Sequence, residues 1–283
     1  MDDIQEDRIR VNDAWFGIEQ RGSKDAPALV LIHGFTGSSA SWGAHLDLFA
    51  ASGLRVIALD MLGHGRSDVP PVPSRYRIHR CCEDILAIMH TLDIHEDEAT
   101  LLGYSMGGRI ALYTAFSGFF RNVILESASP GIADDNEQYR RYRSDDALAD
   151  LIEREGMAEF VDIWERIPLF ESQKQLSPEA RAALHEQRMT NSERGLANSL
   201  RGVGTGQQPS LHAKLPELML PVLLIAGELD SKFSAIAKEM ATALPHAQLA
   251  IVPGAGHTVH LERPAEFDRI VLDFVKTNID NYI

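Results

Sequence analysis

The fold is decided by one stretch of sequence, Ala99-Thr-Leu-Leu-Gly-Tyr-Ser-Met-Gly-Gly-Arg-Ile-Ala-Leu-Tyr-Thr-Ala-Phe116. Its first part is a short apolar run of the kind that fills a buried parallel strand. Its last part has the apolar spacing of a helix. Between the two lies Gly103-Tyr-Ser-Met-Gly107, which fits the pattern Gly-x-Ser-x-Gly. The stretch therefore predicts a tight strand-to-helix elbow that holds Ser105 in a strained conformation at the N-terminus of a helix.

Apolar runs of the same kind recur along the chain and alternate with helical patterns. They begin near residues 28, 54, 100, 122, 220 and 248, after an N-terminal hairpin that is predicted to turn at Asn12-Asp13. Such alternation is typical of a mostly parallel sheet with helices on both faces. Ligands of these sheets bind beyond the carboxyl ends of the strands. We therefore expect the loops that follow the strands to form the functional edge.

The alternation stops between residues 131 and 210. This segment has no convincing buried strand, and its composition, rich in Arg, Glu and Ala, favours helices. Roughly eighty residues are too many for a loop within a compact domain. We therefore predict a helical lid, formed by residues 131–210, inserted into a core that is formed by residues 1–130 and 211–283.

Composition and charge limit the possible partners. The chain has 283 residues and a formal net charge of −14, which argues against nucleic acid or an anionic membrane as a bulk partner. The acidic N-terminus is unlike a signal peptide, and no apolar run reaches the length of a membrane span. Cys81 and Cys82 are neighbours with no other cysteine to pair with. These features predict a cytoplasmic protein with no metal, no cofactor and no stable membrane insertion, and they leave its oligomeric state open.

Three residues that could form a catalytic triad each follow a predicted strand. They are Ser105, Asp230 and His257, and this chain order is that of the α/β-hydrolase fold. A serine hydroxyl does not ionise at neutral pH, so an imidazole has to accept its proton while a carboxylate fixes the imidazole tautomer. His33 and His260 are poorer candidates for the base, and we interpret them as structural.

Backbone donors for a developing negative charge are predicted at two places. One is the N–H of Met106, just after the serine, and the other is the N–H of Phe35, in a glycine-flanked loop after a predicted strand. Arg109 lies one helical turn beyond Ser105, so it can project toward the same edge. The lid adds the arginines Arg140, Arg141, Arg143 and Arg188. Arginine suits carboxylate binding, but the lid also has many Asp and Glu residues, so structural ion pairs stay an alternative.

Several motifs spread over nearly the whole chain resemble one family. They are Gly103-Tyr-Ser-Met-Gly-Gly-Arg109, Ser129-Pro-Gly131, the arginine-rich segment up to Arg143-Ser-Asp145, Trp164 with Ile167-Pro-Leu-Phe170, Leu196-Ala-Asn-Ser-Leu200, Gly227-Glu-Leu-Asp-Ser-Lys-Phe233 and Gly256-His-Thr-Val-His260. Together they resemble the 2-succinyl-6-hydroxy-2,4-cyclohexadiene-1-carboxylate synthases of menaquinone biosynthesis. The resemblance implies a carbon–oxygen lyase that removes pyruvate from 2-succinyl-5-enolpyruvyl-6-hydroxy-3-cyclohexene-1-carboxylate, a small substrate with three carboxylates.

The resemblance also implies roles for single residues. Ser105, activated by His257 and Asp230, would remove a proton from the substrate, and the Phe35 and Met106 N–H groups would hold enolate-like charge. The residues that the resemblance assigns to substrate binding are Arg109, Arg141, Arg188, Tyr104 and Trp164. Three arginines within residues 140–143 leave the choice of Arg141 open.

Two other functions stay open at this point. One is a carboxylesterase or carbon–carbon hydrolase in which Ser105 is a covalent nucleophile. The other is a catalytically silent member of the fold that acts as a binding protein. The complete candidate triad speaks against the silent protein. The group formed by Arg109 and the lid arginines favours the lyase over an esterase, because a neutral ester needs no such cluster.

Overall fold

A single sheet organises the protein. The computed structural model describes residues 4, 5 and 7–280. Within them the sheet has nine strands: β1 Ile4–Gln5, β2 Arg8–Val11, β3 Ala14–Arg21, β4 Ala28–Ile32, β5 Arg55–Leu59, β6 Ala99–Tyr104, β7 Asn122–Glu126, β8 Val222–Gly227 and β9 Ala247–Val252. Their spatial order is β1-β2-β3-β5-β4-β6-β7-β8-β9. The strands from β4 onward pair in parallel, so the predicted mostly parallel sheet is confirmed.

The N-terminal hairpin also forms as predicted. β2 and β3 pair antiparallel with Val11 opposite Ala14, which leaves Asn12 and Asp13 in the turn. Asn12 has φ 51°, in the left-handed region that tight hairpin turns require and that Asn tolerates. The sequence carries no signal for β1, because two residues are too few to show a period of two.

Helices cover both faces of the sheet. They are α1 Ala44–Ala51, α2 Ile78–Thr91, α3 Met106–Ala115, α4 Asp135–Trp164, α5 Pro178–Met189, α6 Glu193–Val203, α7 Ser231–Ala243, α8 Val259–Glu262 and α9 Pro264–Asp280. In β4, Val30 and Ile32 belong to one core, with α2, α3 and α7, whereas Leu29 and Leu31 belong to the other, with α1 and α9. This is the alternation that a strand buried on both faces requires. Among the described helices, none combines the length and apolarity needed to cross a membrane.

The segment between β7 and β8 forms a helical layer of its own. It contains α4, α5, α6 and a 3₁₀ helix at Pro168–Gln175, and α4 is kinked at Gly156. A separate apolar core, which includes Ile152, Phe160 and Leu196, holds α4 against α6. The N–H of Leu211 donates to the Pro130 carbonyl at 2.7 Å, so the two ends of this layer leave and rejoin the sheet side by side. This is the segment proposed above as the lid.

Candidate active site

The elbow after β6 places Ser105 at the carboxyl edge of the sheet. Its φ is 52°, a left-handed conformation that costs a serine about 1–3 kcal/mol and that surrounding contacts must maintain. A β-carbon on Gly103 would lie 2.2 Å from the Gly107 carbonyl oxygen, and one on Gly107 would lie 2.2 Å from that of Ile32. The Ser105 N–H donates to the Glu126 carbonyl at 2.8 Å. The turn therefore holds the serine rigidly above the sheet.

Ser105, His257 and Asp230 are brought into one hydrogen-bonded chain. The distance between His257 Nε2 and Ser105 Oγ is 3.0 Å, and that between His257 Nδ1 and Asp230 Oδ2 is 2.6 Å. The carboxylate beside Nδ1 keeps the proton on that nitrogen, so Nε2 is free to accept the serine proton. This arrangement can use the serine oxygen either as a nucleophile or as a base.

The imidazole of His257 is enclosed by rings and held by α7. It is 1% exposed, and its ring centroid lies 4.6 Å from that of Phe233 and 5.5 Å from that of Tyr104. Asp230 caps α7, since its Oδ1 accepts the Phe233 N–H at 3.1 Å. The carboxylate of Asp230 therefore caps the helix with one oxygen and binds the His257 imidazole with the other, so the imidazole is fixed relative to α7.

The two predicted backbone donors flank the serine. Met106 is the first residue of α3, and the N–H groups of a first helical turn have no partner within the helix. Phe35 lies in the loop after β4, where a β-carbon on Gly34 would approach the Tyr104 ring to 2.6 Å. Both residues line the same cavity as Ser105. Their role as donors to a negative charge stays a prediction.

A cavity of about 410 Å³ opens above the serine, between the sheet edge and the helical layer. Tyr104 and Trp164 line it, as the family resemblance implies. The Trp164 ring packs edge-on against that of Phe35, with centroids 5.4 Å apart. Among the described residues, four with charged side chains line the cavity in addition to the triad residues Ser105 and His257. They are Arg109, Arg141, Asp145 and Lys232.

Arg109 is a buried cation that forms no direct ion pair with a carboxylate of the described residues, although Asp145 lies near enough to raise its pKa. Its side chain is held by neutral acceptors, because Nη1 donates to the Val203 carbonyl at 2.8 Å and to Gln208 Oε1 at 2.9 Å. Burial, together with the nearby positive charge of Arg141, lowers the pKa of Arg109 to about 10, so it is charged at neutral pH. Uncompensated buried charge is costly, which indicates that the site is built to receive an anion.

Only Arg141 of the neighbouring lid arginines lines the cavity. Its Nε lies 2.7 Å from Asp145 Oδ1. Arg140 points to solvent near Glu137, and Arg143 donates to the Tyr139 hydroxyl at 3.4 Å. Of these three arginines Arg141 is thus the one that lines the cavity, and its role in substrate binding stays a prediction.

Arg188 does not reach this cavity. It lines a smaller neighbouring pocket of about 40 Å³, and Phe170 contributes to the walls of both spaces. Its Nη1 pairs with Glu165 Oε1 at 3.0 Å, its Nη2 donates to Gln173 Oε1 at 3.1 Å, and its guanidinium lies 5.0 Å from the centre of the Phe170 ring. The predicted group of three substrate-binding arginines is therefore not assembled around Ser105 in this structure.

Comparison with known proteins agrees with the fold described above. The sequence profile of the α/β hydrolase fold matches residues 27–264. The chain is 43% identical over 262 residues, 92% of this chain and 94% of the relative, to a Bacillus subtilis (strain 168) protein provisionally named 2-succinyl-6-hydroxy-2,4-cyclohexadiene-1-carboxylate synthase. It is 34% identical over 261 residues, 90% of this chain and 96% of the relative, to a Serratia proteamaculans (strain 568) protein of that name. The chain belongs to this synthase family.

A solved structure supports the same assignment. The S. aureus protein described as MenH superposes with a TM-score of 0.87 at 36% identity, over 93% of this chain and 98% of that chain. An enol-lactonase from Burkholderia xenovorans LB400 superposes with a TM-score of 0.82 at 23% identity, over 95% of this chain and 99% of that chain. The second likeness shows the fold alone. The predicted α/β-hydrolase fold is thereby confirmed.

Three residues that lie at the cavity or behind it were not predicted from the sequence. Lys232 and Asp145 line the cavity, and Gln208, which is 1% exposed, holds Arg109. Gln208 carried no local signal, because its partner Arg109 is 99 residues away, whereas Asp145 follows Arg141 by four residues, the spacing of an ion pair within a helix. Lys232 lies in the first turn of α7, a helix that the sequence analysis did not predict, where the helix dipole disfavours positive charge.

His33 and His260 lie outside the triad, in agreement with their interpretation as structural. His33 Nε2 accepts the Met61 N–H at 3.1 Å, and burial lowers the pKa of His33. His260 pairs with Glu126 at 2.8 Å in a fully buried ion pair or hydrogen bond beneath Tyr104. In the part of the chain that the structure describes, no group of three or more His, Cys, Asp or Glu side chains is arranged to hold a metal ion.

The free energy of unfolding of the protein is expected to depend on pH through His64. Its buried ring lies 6.0 Å from Phe35, and its Nδ1–H donates to the Leu62 carbonyl at 3.1 Å. Burial, and the proximity of His33, lower the pKa of His64 from 6.5 to about 3. The unfolded chain therefore binds a proton that the folded protein does not, and stability falls as the pH drops below 6.5. Between pH 7 and pH 4 we expect this group to lower the free energy of unfolding by on the order of 3 kcal/mol.

Denaturant unfolding at pH 7 and pH 4 tests this expectation. The matched variant is His64→Asn, which keeps a side-chain N–H for the Leu62 carbonyl but does not titrate. The loss of stability on acidification should be smaller in the variant than in the wild-type protein by about that amount. An equal loss in both proteins would assign the acid sensitivity to other groups.

Proposed function

We propose that the chain converts 2-succinyl-5-enolpyruvyl-6-hydroxy-3-cyclohexene-1-carboxylate to 2-succinyl-6-hydroxy-2,4-cyclohexadiene-1-carboxylate and pyruvate, a carbon–oxygen lyase reaction in menaquinone biosynthesis. One observation carries the proposal beyond family membership. The buried guanidinium of Arg109, held only by neutral acceptors, lines the same cavity as the Ser105 hydroxyl. An anionic substrate supplies a negatively charged partner for this guanidinium, whereas a neutral ester does not.

In the proposed reaction His257 takes the Ser105 proton, and the serine oxygen removes the proton on the ring carbon next to the succinyl ketone. The electron pair released from that C–H bond moves onto the ketone oxygen. The N–H groups of Phe35 and Met106 then stabilise the resulting enolate. The hydrogen-bonded Ser–His–Asp chain, with distances of 3.0 Å and 2.6 Å, provides the transfer of the serine proton to His257 that this role requires.

The enolate then expels the leaving group. Its electrons return through the ring and break the bond between the ring carbon and the enolpyruvyl oxygen, which leaves the conjugated diene. The departing enolpyruvate takes up a proton and becomes pyruvate, so the proton removed by Ser105 is balanced through His257. No bond between Ser105 and the substrate is needed. Asp230 stabilises the imidazolium while His257 holds the proton.

Residues around the cavity would position the substrate. Arg109 and Arg141 are proposed to bind substrate carboxylates, with Tyr104 and Trp164 as walls beside them. Arg188 could take the role that the family resemblance implies only if it left Glu165 and passed Phe170. Residues 131–210 are proposed to act as the lid over this site. A cytoplasmic location for the reaction is part of the same proposal.

One assay tests the function. Purified protein is incubated with the enolpyruvyl substrate, and pyruvate is followed with lactate dehydrogenase and NADH. We expect pyruvate and diene absorbance to appear at equal rates. The alternative, an esterase that uses the same triad, predicts no pyruvate and a burst of nitrophenol from a nitrophenyl ester as the acyl-enzyme accumulates. That pair of results would overturn the lyase.

A further inference from the structure

We propose that Lys232 binds a carboxylate of the substrate, so that the cations that receive the substrate are Arg109, Arg141 and Lys232. This inference rests on the proposed function, because it concerns the tricarboxylate substrate named there. It replaces Arg188, on α5 of the helical layer, by a residue on α7 of the core. It identifies a binding residue and leaves the proposed chemistry at Ser105 unchanged.

The position of Lys232 points to a ligand. The residue lines the cavity next to the triad, since the Phe233 ring that follows it lies 4.6 Å from the His257 ring. Its Nζ lies 5.8 Å from the centre of that Phe233 ring. Among the described residues no carboxylate forms an ion pair with Lys232. The ammonium is therefore available to an anion that enters the cavity.

The placement of Lys232 in its helix is locally unfavourable. It is the second residue of α7, directly at the positive end of the helix dipole, and the first turn of α7 contains no acidic side chain. The capping carboxylate of Asp230 is already engaged by the Phe233 N–H and by His257. Among the described residues the Phe233 ring is the one compensating contact of this cation, and a residue that breaks a local rule with so little compensation is expected at a functional position.

The charges on the cavity wall need this lysine. The proposed substrate has three carboxylates, and Arg188 does not line this cavity but a separate smaller pocket, where it also pairs with Glu165. Arg141 is paired with Asp145, so without Lys232 the described wall offers Arg109 alone as a cation that is not in an ion pair. Lys232 supplies a second such cation next to the triad. The three carboxylates then meet three cations distributed around the cavity.

Substitution of Lys232 separates this role from a structural one. We expect Lys232→Gln to raise the KM for the enolpyruvyl substrate by about tenfold to a hundredfold with a smaller change in kcat, since a charged hydrogen bond made before the transition state is lost. Lys232→Arg, which retains the charge, should restore most of the affinity. The matched control is Lys238→Gln, because Lys238 is an exposed lysine on the same helix, as Lys232 is, but does not line the cavity.

Two further measurements make the test independent of folding and of the lyase activity. The Tm of Lys232→Gln should equal or exceed that of the wild type, because the substitution removes a cation from a helix N-terminus. Calorimetric titration with propane-1,2,3-tricarboxylate should show weaker binding to Lys232→Gln than to Lys238→Gln. Pyruvate formation by the wild type with equal KM and equal tricarboxylate affinity in the two variants would overturn the Lys232 role alone. Absence of pyruvate in the wild type would overturn the proposed function, and the titration would still decide on Lys232.

Discussion

Replacing Ser105 with alanine is expected to lower kcat for pyruvate formation by about 10³-fold to 10⁴-fold, the contribution of a well-placed general base. The expected loss follows from the geometry, because Ser105 Oγ is the atom that His257 Nε2 faces at 3.0 Å. Without the hydroxyl, the buried imidazole of His257 has no group through which it can take up the substrate proton. The measurement is single-turnover pyruvate formation, followed by coupled assay.

Ser127 provides a matched control for this substitution. It follows the neighbouring strand β7, has φ 49° against 52° for Ser105, and is 1% exposed. Its hydroxyl has no hydrogen-bond partner among the described residues, and it does not line the cavity. Ser127→Ala should therefore keep its activity within about twofold of the wild type. If Ser105→Ala retained comparable activity, the proton would have to be removed by another group.

Mass spectrometry of the quenched wild-type reaction distinguishes the two chemical roles of Ser105. A base leaves the protein mass unchanged throughout turnover, whereas a nucleophile gives an adduct on the peptide that contains residue 105. We expect no adduct with the enolpyruvyl substrate. An adduct that forms and decays at the rate of turnover would contradict the proposed role.

Replacing Arg109 with glutamine is expected to lower kcat/KM for the lyase reaction by about 10²-fold to 10³-fold. The guanidinium is buried and oriented by the Val203 carbonyl and Gln208, so the substrate carboxylate it binds is largely desolvated. Loss of one partner of such a pair costs about 2–5 kcal/mol. Hydrolysis of a small neutral nitrophenyl ester, if detectable, should change little, because that ester has no carboxylate to bind.

Arg140→Gln is the control for Arg109. Arg140 is exposed, lies near Glu137 and does not line the cavity. Its replacement should leave both reactions within about twofold, as is usual at exposed positions. Equal losses in lyase and esterase turnover for Arg109→Gln would mean that Arg109 acts by holding Val203 and Gln208 in place. A structural role of that kind would also appear as a lower Tm.

Much of the fold is predictable from the sequence because its signals are short in range. The apolar run, the glycines at 103 and 107 and the following helical spacing all lie within one segment, and each glycine is required by a contact that a β-carbon would obstruct. The same holds for the strand alternation and for the helical composition after residue 131. The triad residues could be named in advance since each follows a strand, and parallel strands bring their carboxyl ends to one edge.

Apart from Arg109, whose spacing from Ser105 predicts that it projects to the same edge, the cations around the cavity were not predictable in this way. An arginine or lysine side chain is long, and whether it faces a substrate or a neighbouring carboxylate depends on partners far along the chain. Arg188 pairs with Glu165, 23 residues away, and Arg109 is held by Gln208, 99 residues away. No pattern of residues near either arginine reports these contacts. The composition therefore showed that residues 131–210 contain several arginines, but it did not show which of them lines the cavity.

The sequence by itself thus determined the α/β-hydrolase core, the elbow at Ser105 and the order of its candidate partners, because backbone sterics and strand polarity are local properties. Only the tertiary structure decided that Arg141 and Lys232 face the cavity while Arg188 is held behind Phe170. That outcome depends on how the helical layer packs over the strand ends. Each cation can pair either with a carboxylate of the protein or with an incoming anion. Which of the two it meets depends on this packing of distant segments.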